Sequence, residues 1–155
     1  MKISCAVNHQ PVELEARADE MLLEVLRREL HLKSVRATCG VGICGACTAL
    51  VNGEPISTCI LLAPLAEGSE ILTVEGLDGK HPVQRAFEEE HAFQCGYCTP
   101  AMILTCKALL EENPHPTDAE IKEALGGNLC RCGCYVKILK AVQRAALAQE
   151  SIHAG

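Results

Sequence analysis

Residues 39–48 read Cys-Gly-Val-Gly-Ile-Cys-Gly-Ala-Cys-Thr, a glycine-rich segment that carries three cysteines. Cys39, Cys44 and Cys47 follow a Cys-x4-Cys-x2-Cys pattern, and Cys59 comes after eleven intervening residues. This spacing is typical of the ligands of a plant-type [2Fe-2S] cluster. Glycines allow a loop to wrap closely and to turn backbone N–H groups towards anionic sulfur atoms. The segment therefore predicts a [2Fe-2S] site whose metal ligands are these four cysteines.

The same stretch also contains a nucleotide-binding pattern, because residues 40–45 satisfy Gly-x-Gly-x-x-Gly. That fingerprint requires a strand before it and a helix that starts within it. Here cysteines are interleaved with the glycines, and a hairpin is predicted to follow. We therefore reject a dinucleotide site.

Four more cysteines form two close pairs, Cys95 with Cys98 and Cys130 with Cys132. Each pair precedes a predicted helix, the first starting at Pro100 and the second near Tyr135. Helix N-termini favour anions, so these thiols are predicted to hold a second [2Fe-2S] cluster. Spacing alone fits a zinc site almost as well, and His91 could then serve as a nitrogen ligand. A second electron carrier beside the first is the more useful arrangement.

The remaining three cysteines are interpreted as bystanders. Cys5 falls in a predicted strand and Cys106 in a predicted helix, where a thiol behaves as a small buried hydrophobe. Cys134 lies two residues beyond Cys132. We favour a bystander role for it as well, because four thiolates already complete a site.

The overall composition is that of a globular chain with one generous domain or two small ones. The 155 residues are 48% hydrophobic and 3% aromatic, with a formal net charge of -6, which argues against a nucleic-acid partner. The longest apolar run, residues 59–63, is too short to span a membrane, and no secretory signal is visible. We therefore expect a cytoplasmic protein whose eleven cysteines bind metal rather than form disulfides.

The first half of the chain has the pattern of a small α+β domain. Two predicted strands flank a turn at residues 8–11, and two more flank Asn52-Gly53, a strong hairpin signal. A helix is predicted over residues 20–30 with Asp19 as its N-cap, and a last strand over 70–74. Turn formers at 78–82 indicate a boundary, which gives domains 1–77 and 83–155.

The second half has helical patterning throughout. The first helix is predicted near residues 83–91, and the second opens at Thr99-Pro100 and ends near residue 112. Thr117 and Glu120 form a capping box for a third helix that Gly126-Gly127 stops, and residues 135–149 form the fourth. A helical bundle is therefore expected to follow the α+β domain.

Three motifs together resemble the small iron-sulfur subunit of the molybdenum hydroxylase family. They are residues 39–48, residues 94–100 (Gln-Cys-Gly-Tyr-Cys-Thr-Pro) and residues 128–132 (Asn-Leu-Cys-Arg-Cys). The family includes xanthine dehydrogenases, aldehyde oxidoreductases, carbon monoxide dehydrogenases and oxidoreductases of N-heterocycles. The resemblance covers nearly the whole chain with the motifs in the same order.

The resemblance implies a β-grasp ferredoxin domain and a four-helix bundle domain, each with one [2Fe-2S] cluster, in place of the zinc option. It also implies a large partner subunit whose molybdopterin cofactor lies beside the second cluster. Gln94 matches a position that contacts the pterin, and Cys132 matches a ligand on the route from pterin to cluster. Electrons would continue to an FAD-binding subunit or another acceptor.

Two positions depart from the family pattern. Residues 130–135 read Cys-Arg-Cys-Gly-Cys-Tyr where the family often has Cys-Arg-Cys-Thr-Gly-Tyr, and Ala101 stands where glycine is frequent. The glycine after the second cysteine resembles branches that act on aldehydes or N-heterocycles. We expect an electron-transfer subunit with no catalytic residues of its own; the alternative is a stand-alone iron-sulfur carrier or sensor.

Overall fold

A computed structural model describes residues 1–153, and its first half is built on one mixed five-stranded sheet. The strands are β1 (Lys2–Val7), β2 (Gln10–Glu15), β3 (Thr48–Val51), β4 (Glu54–Ser57) and β5 (Glu70–Leu72). Their order is β2-β1-β5-β3-β4, with β1 and β5 parallel and all other neighbours antiparallel. Helix α1 (Leu22–Glu29) buries Leu22, Val25 and Leu26 in the same core as the sheet residues Ile3 and Ile71.

Both hairpins turn through two residues in the left-handed conformation. Asn52 and Gly53 have φ of 53° and 87°, which confirms the predicted turn between β3 and β4. Asn8 and His9 have φ of 50° and 67°, so the first turn is shorter than the predicted four residues and β2 already begins at Gln10. The prediction was wrong here because left-handed asparagine and histidine can make this turn without glycine.

The start of α1 also differs from the prediction. Met21, not Asp19, occupies the N-cap position, and the helix begins two residues later than expected. Met21 forms an isolated antiparallel bridge with Leu62, which holds its backbone extended. Asp19 instead forms an exposed ion pair with Arg17.

Four helices follow the sheet and share a second core. They are α2 (Pro82–Glu89), α3 (Thr99–Glu112), α4 (Asp118–Ala124) and α5 (Tyr135–His153). Their core includes Val83, Phe87, Met102, Ile121 and Ile138, all fully buried. Residues 154 and 155, which the predicted second domain includes, lie outside the described part of the chain.

The ends of these elements confirm some of the predicted signals and not others. Thr117 and Glu120 do form the predicted capping box. Thr99 is the first residue of α3 and not its N-cap, because the Cys98 carbonyl already accepts the Met102 N–H at 3.1 Å. Strand β5 ends at residue 72, since the side chain of Asn8 accepts the Thr73 N–H.

Further differences lie at helix ends. A short 3-10 turn (Leu125–Gly127) follows α4, so the two glycines belong to a helical turn rather than a direct stop. His91 lies beyond the end of α2 with φ of 49°, and α5 runs past the predicted residue 149.

The sheet and the helices are in direct contact. Leu104 of α3 is buried together with Leu50 of β3 and Leu72 of β5. No helix in the described part of the chain combines the length and apolar character needed to cross a membrane. The contact between the two halves positions the two groups of cysteines described next.

Candidate functional site

The first group of thiols is assembled by the long segment between α1 and β3 together with the β3–β4 hairpin. Thr48 pairs with Ser57 in the hairpin register, which returns the chain so that Cys59 reaches Cys47. The four thiols form two hydrogen-bonded pairs: Cys44 donates to Cys39, and Cys59 donates to Cys47.

The two pairs of this group lie in different surroundings. The Cys39 sulfur accepts the backbone N–H groups of Cys44 and Val41, each at 3.5 Å, and these bonds lower the pKa of Cys39 to about 6. Burial, followed by the hydrogen bond to Cys47, raises the pKa of Cys59 to about 11. The Cys39 sulfur therefore forms a thiolate readily, whereas the Cys59 sulfur needs a cation such as iron to stabilise its anionic form.

The glycines of the segment are required by their conformation and by close neighbours. Gly42 has φ of +74°, and a Cβ there would lie 2.6 Å from the Ile60 side chain. Gly45 has φ of +65°, and a Cβ there would lie 2.1 Å from the carbonyl oxygen of Gly127. Only a residue without a side chain fits both positions.

The second group of thiols lies between the start of α3 and the start of α5. It also forms two hydrogen-bonded pairs: Cys132 donates to Cys95, and Cys98 donates to Cys130. The backbone N–H of Tyr97 is the main cause that lowers the pKa of Cys95, while burial raises the pKa of Cys98 to about 12. Each pair joins one cysteine from residues 95–98 to one from residues 130–132, so two distant segments must meet to form the group.

Both groups fit a binuclear iron core better than a single ion. A [2Fe-2S] cluster takes four thiolates, two on each iron, which matches two pairs of thiols. A zinc site instead places four ligands around one point. His91, the possible nitrogen ligand of a zinc site, is exposed beyond the end of α2.

A set of hydrogen bonds joins the two groups. The Leu129 N–H donates to the Cys44 carbonyl at 2.9 Å, which places the residue before Cys130 directly on the first loop. The buried Asn128 donates to the Gly45 carbonyl at 3.1 Å and accepts from the Thr105 hydroxyl at 2.9 Å. The two thiol groups are thus tied together through backbone and one buried amide.

Sequence reasoning did not single out Asn128 or Tyr135. The Tyr135 hydroxyl accepts the Cys130 N–H at 2.7 Å, which fixes the backbone of the second group. The signal for Asn128 was its place as the first residue of the motif at 128–132, two residues before the predicted ligand Cys130.

The other candidate residues are placed as follows. Gln94 is exposed and directly precedes Cys95, which is also exposed. Cys5 and Cys106 are buried in the sheet core and the helix core, as predicted for small hydrophobes. Cys134 is buried and contacts Cys130.

Comparison with known proteins identifies the class. Residues 5–73 match the model of a 2Fe-2S iron-sulfur cluster binding domain, and residues 73–143 match that of a second [2Fe-2S] binding domain. The chain is thus an iron-sulfur protein with two [2Fe-2S]-binding domains, in agreement with its two groups of thiols.

Three similar proteins narrow this class to a family. The chain is 50% identical over 147 residues to a subunit of the nicotinate dehydrogenase of Pseudomonas putida, covering 93% of this chain and 94% of that protein. It is 49% identical over 146 residues to the nicotinate dehydrogenase small FeS subunit of Eubacterium barkeri, covering 92% and 93%. A solved structure of quinoline 2-oxidoreductase from Pseudomonas putida 86 superposes with a TM-score of 0.92 at 38% identity, covering 99% of this chain and 96% of that chain.

The chain belongs to the family of small iron-sulfur subunits of molybdenum hydroxylases. It is the iron-sulfur subunit of a multi-subunit oxidoreductase, and its role is electron transfer.

Proposed function

We propose that this subunit carries electrons from a molybdopterin site in a large partner subunit to an FAD-binding subunit or another acceptor. When bound, the two [2Fe-2S] clusters would supply the one-electron steps of this relay. The residues of this chain hold the clusters, set their separation and shield them. The contact that supports this function best is the Leu129 N–H bond to the Cys44 carbonyl, because it joins the two thiol groups within one rigid structure.

The proposed metal ligands are the eight paired cysteines. Cys39 and Cys44 would bind one iron of the first cluster, and Cys47 and Cys59 the other. In the second cluster the same rule groups Cys95 with Cys132 and Cys98 with Cys130. The support is that each proposed pair is already a hydrogen-bonded pair of thiols.

The second group is proposed to face the molybdopterin subunit. Cys95 and Gln94 are exposed, and the Cys95 thiol pairs with that of Cys132. A pterin bound by the partner could therefore contact the Gln94 amide, with Cys132 as the ligand nearest to it. In contrast, Cys47 and Cys59 of the first group are buried within this chain.

We further propose that the sheet with α1 is a β-grasp ferredoxin domain and that α2 to α5 form a four-helix bundle domain, with the division between residues 77 and 83. The separate cores of the two halves support this division. A cytoplasmic location is supported by the state of the cysteines, since none of the eleven forms a disulfide bond.

An N-heterocycle is the proposed substrate class of the complete enzyme, in preference to an aldehyde. Nicotinate and quinoline, which appear in the names of the similar proteins, are both aromatic nitrogen heterocycles. The substrate would bind in the large subunit.

Co-purification of the chain expressed with its natural neighbours tests the proposed function. We expect a stable complex that contains molybdenum, with about four irons on this chain and two distinguishable electron paramagnetic resonance signals. Substrate added without an oxidant should reduce both clusters.

The alternative function is an independent redox carrier or sensor. A stable monomer with both clusters and no molybdenum-bearing companion would support it and contradict our proposal. A colourless protein, or one that binds zinc at both sites, would contradict both functions.

A further inference from the structure

Cys134 lies next to a proposed ligand without belonging to either of the two thiol pairs. Its thiol donates a hydrogen bond to Cys130, and its backbone N–H donates to the same sulfur at 3.5 Å. Cys130 therefore receives bonds from both Cys98 and Cys134.

The position of Cys134 is fixed by the helix that follows it. Its carbonyl accepts the N–H groups of Lys137 and Ile138, both at 3.0 Å, so Cys134 occupies the N-cap position of α5. Gly133, with φ of +73°, turns the chain between Cys132 and Cys134. The thiol is buried in the helix core and is held against Cys130 rather than free to reorient.

This arrangement argues against a ligand role for Cys134. Four thiols already form two pairs, and Cys134 adds a third thiol to one of those pairs. Because four other thiolates complete the cluster, Cys134 is left as an uncoordinated thiol, and the S–H group of such a thiol is a hydrogen-bond donor.

We propose that Cys134 is a positioning residue whose thiol donates a hydrogen bond to the ligand sulfur of Cys130 and raises the reduction potential of the second cluster. The reduced cluster carries one more negative charge than the oxidised cluster, so a donor to its sulfur stabilises the reduced form more. This inference rests on the proposed ligand set.

The test uses Cys134→Ala and Cys134→Ser in the complete enzyme complex, with redox titration followed by electron paramagnetic resonance. Cys134→Ala removes the thiol donor and keeps the backbone N–H. We expect the reduction potential of the second cluster to fall by up to about 59 mV, which is a tenfold change in the equilibrium constant for one electron. The hydroxyl of Cys134→Ser should restore most of the loss, and the first cluster serves as an internal reference.

Cys106→Ala is the matched control, because Cys106 is a fully buried thiol of the same core whose pKa is raised by burial and not by a hydrogen bond to a proposed ligand. It should leave both potentials unchanged. An unchanged second potential in Cys134→Ala, or equal shifts in the alanine and serine variants, would overturn the proposal.

The iron content of the variant shows whether Cys134 is a positioning residue or a ligand. About four irons per chain should remain in Cys134→Ala. A fall to about two would make Cys134 a ligand and overturn the proposal. Absence of a second cluster signal from the unaltered protein would instead contradict the ligand set on which the inference depends.

Discussion

The two thiol groups reach the same arrangement of two pairs by different routes. Three members of the first group lie within nine residues, Cys39 to Cys47. The backbone of this loop has positive φ angles that require glycine. The second group joins segments on either side of α3 and α4, and each of its pairs needs one cysteine from each segment. The first site depends mainly on local backbone geometry, and the second depends on the packing of helices.

Despite this difference in assembly, the sulfur atoms of the two groups have similar surroundings. Loop N–H groups approach Cys39 closely and lower its pKa to about 6. In the second group the Tyr97 N–H lowers the pKa of Cys95, and burial raises the pKa of Cys98, which packs against the helix core, to about 12. Backbone N–H groups thus reach a sulfur in both groups, and in the second group the thiol of Cys134 adds a side-chain donor.

Loss of a ligand should have the largest effect and should separate the two sites. Cys47→Ser is expected to abolish one of the two electron paramagnetic resonance signals and to lower the iron content from about four to about two per chain. Cys98→Ser should abolish the other signal. The two buried cores are separate, so each variant should retain the remaining cluster.

Loss of both signals in either variant would contradict this expectation. It would show that one cluster cannot assemble without the other. Spectra and iron analysis of the purified complex provide the measurement.

A glycine substitution at the contact between the sites should have the next largest effect. Gly45→Ala adds left-handed strain and a collision with the Gly127 carbonyl, which together should lower the free energy of unfolding by about 3 kcal/mol. Gly40→Ala is the matched control, since Gly40 has φ of +69° but no atom within 4 Å of the added Cβ. In Gly40→Ala the backbone strain alone should lower the free energy of unfolding by about 1 kcal/mol.

The spectroscopic result is more specific than the loss of stability. Gly45→Ala displaces the segment that leads to Cys130, so the second cluster signal should broaden or shift, whereas Gly40→Ala should affect the first signal alone. Equal effects of the two variants on the second cluster would contradict the described contact.

The smallest expected effect is a pH dependence confined to the helical half. The His81 Nδ1 accepts the Val83 N–H at 3.3 Å and caps α2, and burial followed by the nearby Lys107 lowers the pKa of His81 below 6.5. The folded state therefore favours the neutral ring. The stability that the neutral His81 ring contributes to the folded state is complete above pH 6.5, and it is lost as the pH falls through the folded-state pKa of His81.

His81→Asn should keep the cap and remove this titration, because asparagine is a good N-cap residue. The measurement is hydrogen exchange of residues 82–89 against that of β3, between about pH 7.5 and about pH 5.5. We expect the unaltered protein to lose about 1 kcal/mol or less of protection in α2. A similar loss in β3, or in the asparagine variant, would contradict the assignment to His81.

Local features could be predicted from the sequence, and distant partners could not. The Asn52-Gly53 turn and the Thr117 capping box need only neighbouring residues, and both were predicted. The predicted start of α1 was wrong because Met21 pairs with Leu62, and nothing near Met21 indicates that bridge. The pairing order of the second thiol group likewise depends on helix packing, which cysteine spacing does not encode.

The bond from Asn128 to the Gly45 carbonyl spans 83 positions along the chain, and it has a consequence for how the protein matures. Closing so long a loop is slow, while the loop that carries Cys39, Cys44 and Cys47 can form as soon as its own residues meet. We therefore expect iron to be inserted first at the site of Cys39, Cys44, Cys47 and Cys59. The second site would then be completed later, when the segment that carries Asn128 and Cys130 reaches the first loop.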